Sequence, residues 1–318
     1  MPLDPGVILL DIGFVPTQPG RGFLLGTRQT LLETNDGGRT WAPRVIPAAL
    51  EDEFNYRFTS VSFSGDEGWV VGKPAILLHT SDGGTNWERV PLNAKLPGNP
   101  MAITALGPGS AEMITDEGAI YVTKDGAKLW KAAVAETVSA TLNRTVSSGI
   151  SGASFFTGNF GIVNRSPEGK YVGVSSRGNF YMTWEPGQSF WQPHNRSSAR
   201  RIQNMGYTRD GRLWLLTRGG AVYFSTGGKD AEGEEIFEEK RIGSRGFGIL
   251  DLGFRTTGEA WAAGGSGSLF QSEDAGQTWR RERGTDDTAG NLYSIKFQDE
   301  KNGFVLGNDG LLLRYIHA

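Results

Sequence analysis

One eight-residue pattern, an Asp–Gly turn closed by a tryptophan, occurs four times in this chain and constrains its fold more than any other feature. It is TNDGGRTW at residues 34–41, TSDGGTNW at 80–87, TKDGAKLW at 123–130 and SEDAGQTW at 272–279. The tryptophans of the first three copies lie 46 and then 43 residues apart. Similarity at a fixed period of this length indicates a repeat architecture rather than one catalytic motif.

Each copy stands at the same place in a longer repeat. A short apolar run precedes two further runs that end in the turn, as in VILLDIGF before GFLLGTRQTLLETNDGG and TSVSFS before GWVVGKPAILLHTSDGG. Equivalent runs recur until GFVLGNDGLLLRY, which gives seven copies without helical periodicity. The sequence therefore predicts an all-β fold, a seven-bladed β-propeller with four-stranded blades, in a single domain over residues 1–318.

The repeated pattern is interpreted as the Asp-box turn that joins the third strand of a blade to its fourth. An aspartate can accept hydrogen bonds from the backbone amides of the turn, and glycines can adopt the positive φ angles that it needs. The closing tryptophan offers an apolar face for packing between neighbouring blades and an N–H that we expect to reach a polar partner. We expect a structural role, not a catalytic one, for Asp36, Trp41, Asp82, Trp87, Asp125, Trp130, Asp274 and Trp279.

The composition excludes several kinds of site. The chain has no cysteine, which rules out disulfides and thiolate metal sites. Its three histidines, His79, His194 and His317, are far apart and match no metal-ligand spacing, so we predict no metal. The formal net charge of −3 disfavours a nucleic-acid partner, and no apolar run is long enough to span a membrane.

Charge is unevenly distributed between the loops on the two faces of the predicted propeller. In each blade, the turn after the second strand and the connection to the next blade share one face. On that face the loops of blades four to six contain arginines, and five of them (residues 137–160, SSRGN, NRSSAR, TRGG and GSRGFG) contain no aspartate or glutamate. The arginines are Arg144, Arg177, Arg196, Arg200, Arg218 and Arg245, together with Arg201 at the start of the next inner strand.

Seven arginines without a lysine predict a surface that binds carboxylate or phosphate groups. A guanidinium group forms two parallel hydrogen bonds to such an anion, whereas a lysine acts as a point charge. An ordinary solvated surface, whose arginines pair with backbone carbonyls, is the alternative interpretation. The stretch RSSARR also suggests RNA, but no aromatic platform for stacked bases is interleaved with it.

The alternative function is that of an Asp-box glycoside hydrolase or a glycan-binding propeller. A sialidase needs an arginine triad, a tyrosine nucleophile with a glutamate partner and an aspartic acid. The segment PRVIP at residues 43–47 is only faintly similar to the sialidase Arg-Ile-Pro signature, and it follows the Asp-box on an outer strand. We therefore predict that the protein is not an enzyme.

Six stretches, four of them around the arginine loops, are far more specific than the Asp-box pattern. They are GFLLGTRQTLLET, ATLNRTVSSGISGASFFTG, SSRGNFYMTWEPGQ, WQPHNRSSARRIQNMG, SRGFGILD and AAGGSGSLF. These stretches closely resemble the photosystem II stability and assembly factor family of chloroplasts and cyanobacteria, and the resemblance extends over about residues 3–315.

The resemblance implies a function as well as a fold. It implies a monomer of the thylakoid lumen, without catalysis or cofactor, that associates peripherally with the membrane through its partners and helps to build the photosystem II reaction centre. The implied partners are the newly made reaction-centre subunit, a precursor with a lumenal C-terminal tail, and early assembly intermediates. The seven arginines are the implied contact.

Two blades depart from the repeat. In blade five, GGKDAEGEEIFEE replaces the Asp-box, so the turn there is expected to differ. Blade seven ends with its third strand, and the residues before Val7 include two prolines, which cannot donate to a strand ladder. We expect the outer strand of blade seven to be truncated or missing.

Overall fold

Antiparallel β-strands make up nearly all of the regular structure. The computed structural model describes residues 3–4, 6–50, 54–134, 159–196, 198–244 and 248–316. These residues form seven sheets, and their helical segments are two single 3₁₀ turns, Pro47–Ala49 and Arg283–Thr285. The all-β, seven-bladed β-propeller predicted from the sequence is confirmed.

The first three blades each contain four strands in chain order. Blade 1 consists of β1 (Leu9–Val15), β2 (Gln18–Gly26), β3 (Leu31–Thr34) and β4 (Ala42–Pro43). Blade 2 consists of β5 (Arg57–Ser64), β6 (Glu67–Lys73), β7 (Ile76–Thr80) and β8 (Glu88–Arg89). Blade 3 consists of β9 (Pro100–Gly107), β10 (Ser110–Thr115), β11 (Ile120–Thr123) and β12 (Lys131–Val134).

The next three blades repeat this order, and the seventh sheet is shorter. Blade 4 consists of β13 (Phe160–Arg165), β14 (Tyr171–Ser175), β15 (Phe180–Trp184) and β16 (Gln192–Asn195). Blade 5 consists of β17 (Ile202–Tyr207), β18 (Leu213–Thr217), β19 (Val222–Lys229) and β20 (Glu235–Lys240). Blade 6 consists of β21 (Ile249–Phe254), β22 (Ala260–Gly264), β23 (Leu269–Ser272) and β24 (Arg280–Glu282). Blade 7 consists of β25 (Leu292–Phe297), β26 (Gly303–Gly307) and β27 (Leu312–Arg314).

The chain divides into two compact units. The first contains Met1–Ala135 and Leu306–Arg314, and the second contains Glu136–Val305 and Tyr315–Ala318. Blades 1 to 3 therefore belong to the first unit and blades 4 to 6 to the second. The single domain expected from the sequence stays a prediction.

The core of each unit lies between consecutive sheets. Every residue of the middle strands β7 and β22 is buried, whereas both residues of the outer strand β4 are exposed. In the first unit, Phe23 of blade 1 shares an apolar cluster with Val70 of blade 2. In the second, Phe224 of blade 5 shares one with Phe254 of blade 6. The middle strands are apolar without alternation because both of their faces are covered.

The innermost strands of neighbouring blades are tied together by polar side chains. Asp11 in β1 accepts a hydrogen bond from the backbone N–H of Val61 in β5 (2.9 Å), and Asp251 in β21 accepts one from Ile295 in β25 (2.8 Å). A shift in strand register directly precedes both aspartates, the mark of a β-bulge. The bulge reorients the aspartate side chain, so that it can reach the backbone of the innermost strand in the next blade.

Each Asp-box turn is closed around its aspartate. Asp36 accepts hydrogen bonds from the backbone N–H groups of Arg39 and Thr40, both at 2.9 Å. The hydroxyl and then the N–H of Thr40 hold the pKa of Asp36 well below its usual range. In the second copy, burial alone would raise the pKa of Asp82, but hydrogen bonds led by those from Asn86 lower it to about 2. The carboxylates thus act as acceptors inside the turns.

The positive φ angles expected of paired glycines occur in all four turns, but not always at glycine. Gly37 and Gly38 have φ of 73° and 82°. In the third copy Ala127 replaces the second glycine, with a φ of 65°. In the fourth copy Ala275 replaces the first glycine, with a φ of 57°. Alanine is strained at a positive φ angle, so the surrounding hydrogen bonds must hold the turn in this conformation despite the strain.

The tryptophans that close the turns pack against aromatic residues. Within the first unit, Trp87 of blade 2 lies 5.5 Å from Phe23 of blade 1 and 6.0 Å from Phe63 of its own blade, measured between ring centroids. Trp130 similarly lies 6.3 Å from Trp69 of the preceding blade. Trp41 lies 6.4 Å from Phe14 of its own blade. In the second unit, Trp279 packs against the cluster that Phe224 and Phe254 share.

The expectation that every tryptophan N–H reaches a polar partner was wrong for two of the four. The indole N–H of Trp41 donates to the carbonyl of Gly38 (3.2 Å), and the indole N–H of Trp279 donates to the carbonyl of Gly276 (3.0 Å). Those of Trp87 and Trp130 are buried without an acceptor among the described residues. Both indole rings pack edge-on against other aromatic rings, which offer no hydrogen-bonding oxygen. The role of the four boxes as fold determinants stays a prediction.

Blade 5 replaces the Asp-box by a different turn, as the sequence suggested. Its strands β19 and β20 continue into a hairpin in which Asp230 accepts hydrogen bonds from the N–H groups of Glu232 and Glu234, both at 2.9 Å. The carboxylate of Glu234 in turn lies 2.8 Å from Nδ1 of His194 in the outer strand of blade 4. An aspartate still closes the turn, but with other spacing.

Blade 7 contains three strands in the described part of the chain, in line with the expectation that its outer strand is truncated or missing. Within the first unit, residues before β1 contact the turn between β26 and β27. The N–H of Gly6 donates to the carboxylate of Asp309 (2.9 Å), and the N–H of Gly310 donates to the carbonyl of Val7 (3.0 Å).

We predict that Asp251 makes the protein less stable as the pH rises. Burial raises the pKa of Asp251 from 3.8 to about 6. A carboxyl group with a raised pKa stabilises the folded state below pH 4, and this contribution is lost as the pH rises through 6, at most about 3 kcal/mol. Chemical denaturation between pH 4 and 7.5 should show this fall in wild type and not in Asp251→Asn. Equal slopes in the two proteins over this range would contradict the prediction.

Candidate functional site

The structure describes five of the seven arginines predicted to form a binding surface, all in the second unit. Arg144 and Arg245 lie outside the described residues. The turn between β14 and β15 carries Arg177, and the turn between β18 and β19 carries Arg218. The connection from β16 to β17 carries Arg196, Arg200 and Arg201.

Backbone hydrogen bonds join these three loops. The N–H of Ile202 donates to the carbonyl of Gly178, next to Arg177, at 2.8 Å. The N–H of Arg218 donates to the carbonyl of Arg201, also at 2.8 Å. Arg177, Arg201 and Arg218 therefore lie on loops that contact one another. The position of Arg196, directly after the outer strand β16, places it further from the inner strands.

A glycine makes the contact between the first two loops possible. Gly178 has a φ of 70°, and a Cβ atom on it would lie 2.1 Å from the carbonyl oxygen of Ile202. Any other residue would push the turn of blade 4 away from the inner strand of blade 5. The close approach of Arg177 and Arg201 thus depends on a missing side chain.

A second glycine positions Arg200. Gly219, beside Arg218, has a φ of 104°, and its Cβ would lie 2.1 Å from Nη1 of Arg200. The guanidinium group of Arg200 therefore occupies the space that a side chain at residue 219 would fill. This contact brings a second cation against the turn that carries Arg218, and apart from the TRGG motif no sequence pattern indicates it.

The described arginines of this site are available to a partner. Arg177, Arg200, Arg201 and Arg218 are exposed, and Arg196 is half-buried. None of the five forms an ion pair with a described residue. Other arginines of the same unit do, such as Arg255 with Glu259 and Arg281 with Asp286. Cations that the chain leaves without a counter-charge are suited to bind an anion from outside. We call these five residues the arginine surface.

Tyr223 borders the arginine surface, although sequence reasoning did not single it out. Its hydroxyl donates to Glu239 on the paired outer strand (3.3 Å). Burial, followed by the charge of Glu239, raises the pKa of Tyr223, while the positive charge of Arg200 lowers it. The backbone N–H of Arg200 donates to the hydroxyl of Ser198 (3.1 Å), which holds the loop in place.

The contacts of the glycosidase-like residues do not resemble a sialidase site. Arg44 of the PRVIP segment donates to the carbonyl of Thr85 at 2.6 Å and lies 3.7 Å from Glu33, so that its guanidinium is engaged within the first unit. The Tyr223–Glu239 pair lies on the outer strands of blade 5, and the raised pKa of Tyr223 is the opposite of what a nucleophile requires.

Neither a metal-binding cluster nor a membrane-spanning helix occurs among the described residues. No group of three or more His, Asp or Glu side chains there could hold a metal ion. Nor is any helix in those ranges long and apolar enough to cross a bilayer.

Comparison with known proteins identifies the family. A family model described as photosynthesis system II assembly factor YCF48 matches residues 1–316. The chain is 65% identical over 316 residues to the photosystem II stability/assembly factor HCF136, chloroplastic, of Arabidopsis thaliana, covering 99% of this chain and 78% of that protein.

Two solved structures share the fold and much of the sequence. One is YCF48 bound to D1 peptide, at 45% identity and a TM-score of 0.86, covering 100% of this chain and 94% of that one. The other is YCF48 from Cyanidioschyzon merolae, at 48% identity and a TM-score of 0.89, covering 99% and 97%. The chain belongs to the YCF48 family of photosystem II assembly factors.

Proposed function

We propose that this protein is a non-enzymatic assembly factor for the photosystem II reaction centre, and that its arginine surface binds the newly made reaction-centre precursor subunit. The observation that carries the proposal is the set of five arginines on contacting loops of blades 4 and 5, none of which forms an ion pair with a described residue. The similar YCF48 structure that contains a D1 peptide supports a peptide as the ligand.

The chemistry of the surface favours a carboxylate-bearing segment, and we propose the lumenal C-terminal tail of the precursor. A guanidinium group holds a carboxylate by two parallel hydrogen bonds, each stronger than a bond between neutral groups. The guanidinium group of Arg200 lies against the turn that carries Arg218, and the two arginines could receive one carboxylate together. The more peripheral Arg196 would mainly accelerate association, an effect that salt weakens. Arg144 and Arg245 are proposed to complete the surface.

The proposed location follows from the partner. Relatives of this chain are named as chloroplastic proteins and as cyanobacterial assembly lipoproteins. We place the protein in the thylakoid lumen, as a monomer held at the membrane by its partners, including early assembly intermediates, and without a nucleic-acid ligand. Glycan binding or glycoside hydrolysis is the alternative, and cleavage of a sialoside or glucan by the purified protein would favour it.

Reversing the charge of three arginines should abolish tail binding without unfolding the protein. We predict that Arg196→Glu/Arg200→Glu/Arg201→Glu lowers the affinity for the precursor tail peptide by orders of magnitude, because attractive contacts are replaced by repulsion. The thermal midpoint should hardly change, since none of the three side chains forms an ion pair within the described structure. Peptide titration at low and moderate salt measures the effect.

The matched control reverses three cations elsewhere. Lys124→Glu/Lys128→Glu/Lys131→Glu changes the net charge by the same amount in the first unit, and it should leave peptide affinity within about twofold of wild type at moderate salt, because these lysines belong to none of the arginine loops and salt screens their general charge effect. Equal affinity of wild type and the arginine variant, or an equal loss in both variants, would refute the arginine surface as the specific contact.

A side chain at residue 219 should displace the guanidinium group of Arg200 and thereby weaken peptide binding. Gly219→Ala is predicted to lower tail affinity about tenfold, the effect of one charge-assisted hydrogen bond. In an Arg200→Ala background the same change should have no further effect. Gly187→Ala is the control, because Gly187 has a similar φ of 95° and open space around its missing side chain. A loss of affinity that persists without Arg200 would contradict the positioning role.

A further inference from the structure

The Asp-box turn of blade 3 differs from the other three at one position. Four residues after the aspartate, Thr40, Asn86 and Thr278 each donate a side-chain hydrogen bond to the second carboxylate oxygen, at 2.6, 2.7 and 2.5 Å. Blade 3 has Leu129 there, whose side chain cannot donate a hydrogen bond.

Leu129 makes no packing contact that would compensate for the missing hydrogen bond, because its side chain is mostly exposed. Asp125 is held by the hydroxyl of Thr123 (2.9 Å) and the backbone N–H of Leu129 (3.0 Å), while the leucine side chain is 70% exposed. Leucine at this position therefore forfeits a hydrogen bond and leaves an apolar side chain in water, which is unfavourable on both counts. A contact outside the chain would account for it.

A second exposed leucine lies on the adjacent turn. Leu106, near the end of β9, is 45% exposed. The turn that follows it is joined to the Asp-box by a hydrogen bond from the N–H of Gly126 to the carbonyl of Gly109 (2.9 Å). One edge of blade 3 thus presents two aliphatic side chains on hydrogen-bonded turns.

Three lysines flank Leu129 along the chain. Lys124 and Lys128 lie in the Asp-box turn and Lys131 begins β12, and all three are exposed without an ion pair in the described part of the chain. The carboxylate of the same turn, Asp125, accepts hydrogen bonds from Thr123 and Leu129, and the three lysines beside it leave the turn with a net positive charge. We call Leu106, Lys124, Lys128, Leu129 and Lys131 the lysine–leucine turn.

We propose that the lysine–leucine turn docks on an anionic lipid bilayer. Leucine side chains can enter the boundary between headgroups and acyl chains, and lysines next to them are attracted by anionic headgroups. Docking through so few side chains is weak and reversible. It would hold the first unit at a membrane surface directly, in addition to any attachment through protein partners.

The residue types favour lipid over a protein partner. Protein interfaces are enriched in aromatic residues and arginine and depleted in lysine, because planar groups suit fixed, directional contacts. The exposed side chains of the lysine–leucine turn include no arginine, and the tryptophan that closes it, Trp130, packs inward against Trp69, whereas the arginine surface of the second unit has no lysine. Compact ammonium groups and flexible aliphatic chains suit a fluid array of headgroups.

Vesicle co-sedimentation of the whole protein tests the proposal. Wild type should partition onto vesicles of phosphatidylcholine with phosphatidylglycerol, hardly onto phosphatidylcholine alone, and less at high salt. Leu129→Thr restores the hydroxyl found at Thr40 and Thr278, so it should raise the thermal midpoint while reducing partitioning about tenfold. Lys124→Glu/Lys128→Glu/Lys131→Glu should abolish binding while still binding the precursor tail peptide.

A matched substitution separates the leucine from general surface hydrophobicity. Val45 is 64% exposed elsewhere in the first unit, and Val45→Thr should leave partitioning unchanged. Three outcomes would overturn the proposal. They are absence of wild-type binding to anionic vesicles, equal binding to neutral and anionic vesicles, and a Leu129→Thr variant that binds as wild type does. Absence of vesicle binding would instead assign the turn to a protein partner.

Discussion

The fold depends on hydrogen bonds between the innermost strands of consecutive blades. A bulge in each of the strands β1 and β21 turns Asp11 or Asp251 away from its own ladder and towards the backbone of the next blade. Asn204 in β17 also follows a bulge, and its side-chain amide donates to the carbonyl of Leu250 and to the carboxylate of Asp251. Apolar packing between sheets is not directional, so these polar contacts fix the register between the blades that they join.

The loops can carry function because they are not needed for this register. Hydrogen bonds between the inner strands hold the blades, the Asp-box turns are predicted to do the same, and the turns after each second strand remain free to vary. In blades 4 and 5 these turns are drawn together by Gly178 and Gly219, whose missing side chains leave space for a carbonyl and a guanidinium group. The result is a group of cations on rigid supports, which is what recognition of a carboxylate requires.

Much of the fold was predictable because the repeat is read from period and turn chemistry. Seven blades, the exposed arginine loops and the altered turn of blade 5 all follow from residue types at fixed spacing. The contact of Arg200 with Gly219 could not be predicted, because it joins side chain and backbone of different loops. The unpaired N–H groups of Trp87 and Trp130 were also missed, since similar turns place their tryptophans in different surroundings. Arg144 and Arg245 remain predictions.

Hydrogen exchange of the protein with and without the precursor tail peptide tests the central claim most directly, because it locates the contact without altering any residue. Amides at residues 175–179, 198–202 and 217–220, which form the three arginine loops, should exchange more slowly when the peptide is bound. The Asp-box turns at residues 34–41 and 80–87 should exchange as before. Protection confined to those turns, or no protection in the arginine loops at saturating peptide, would contradict the account.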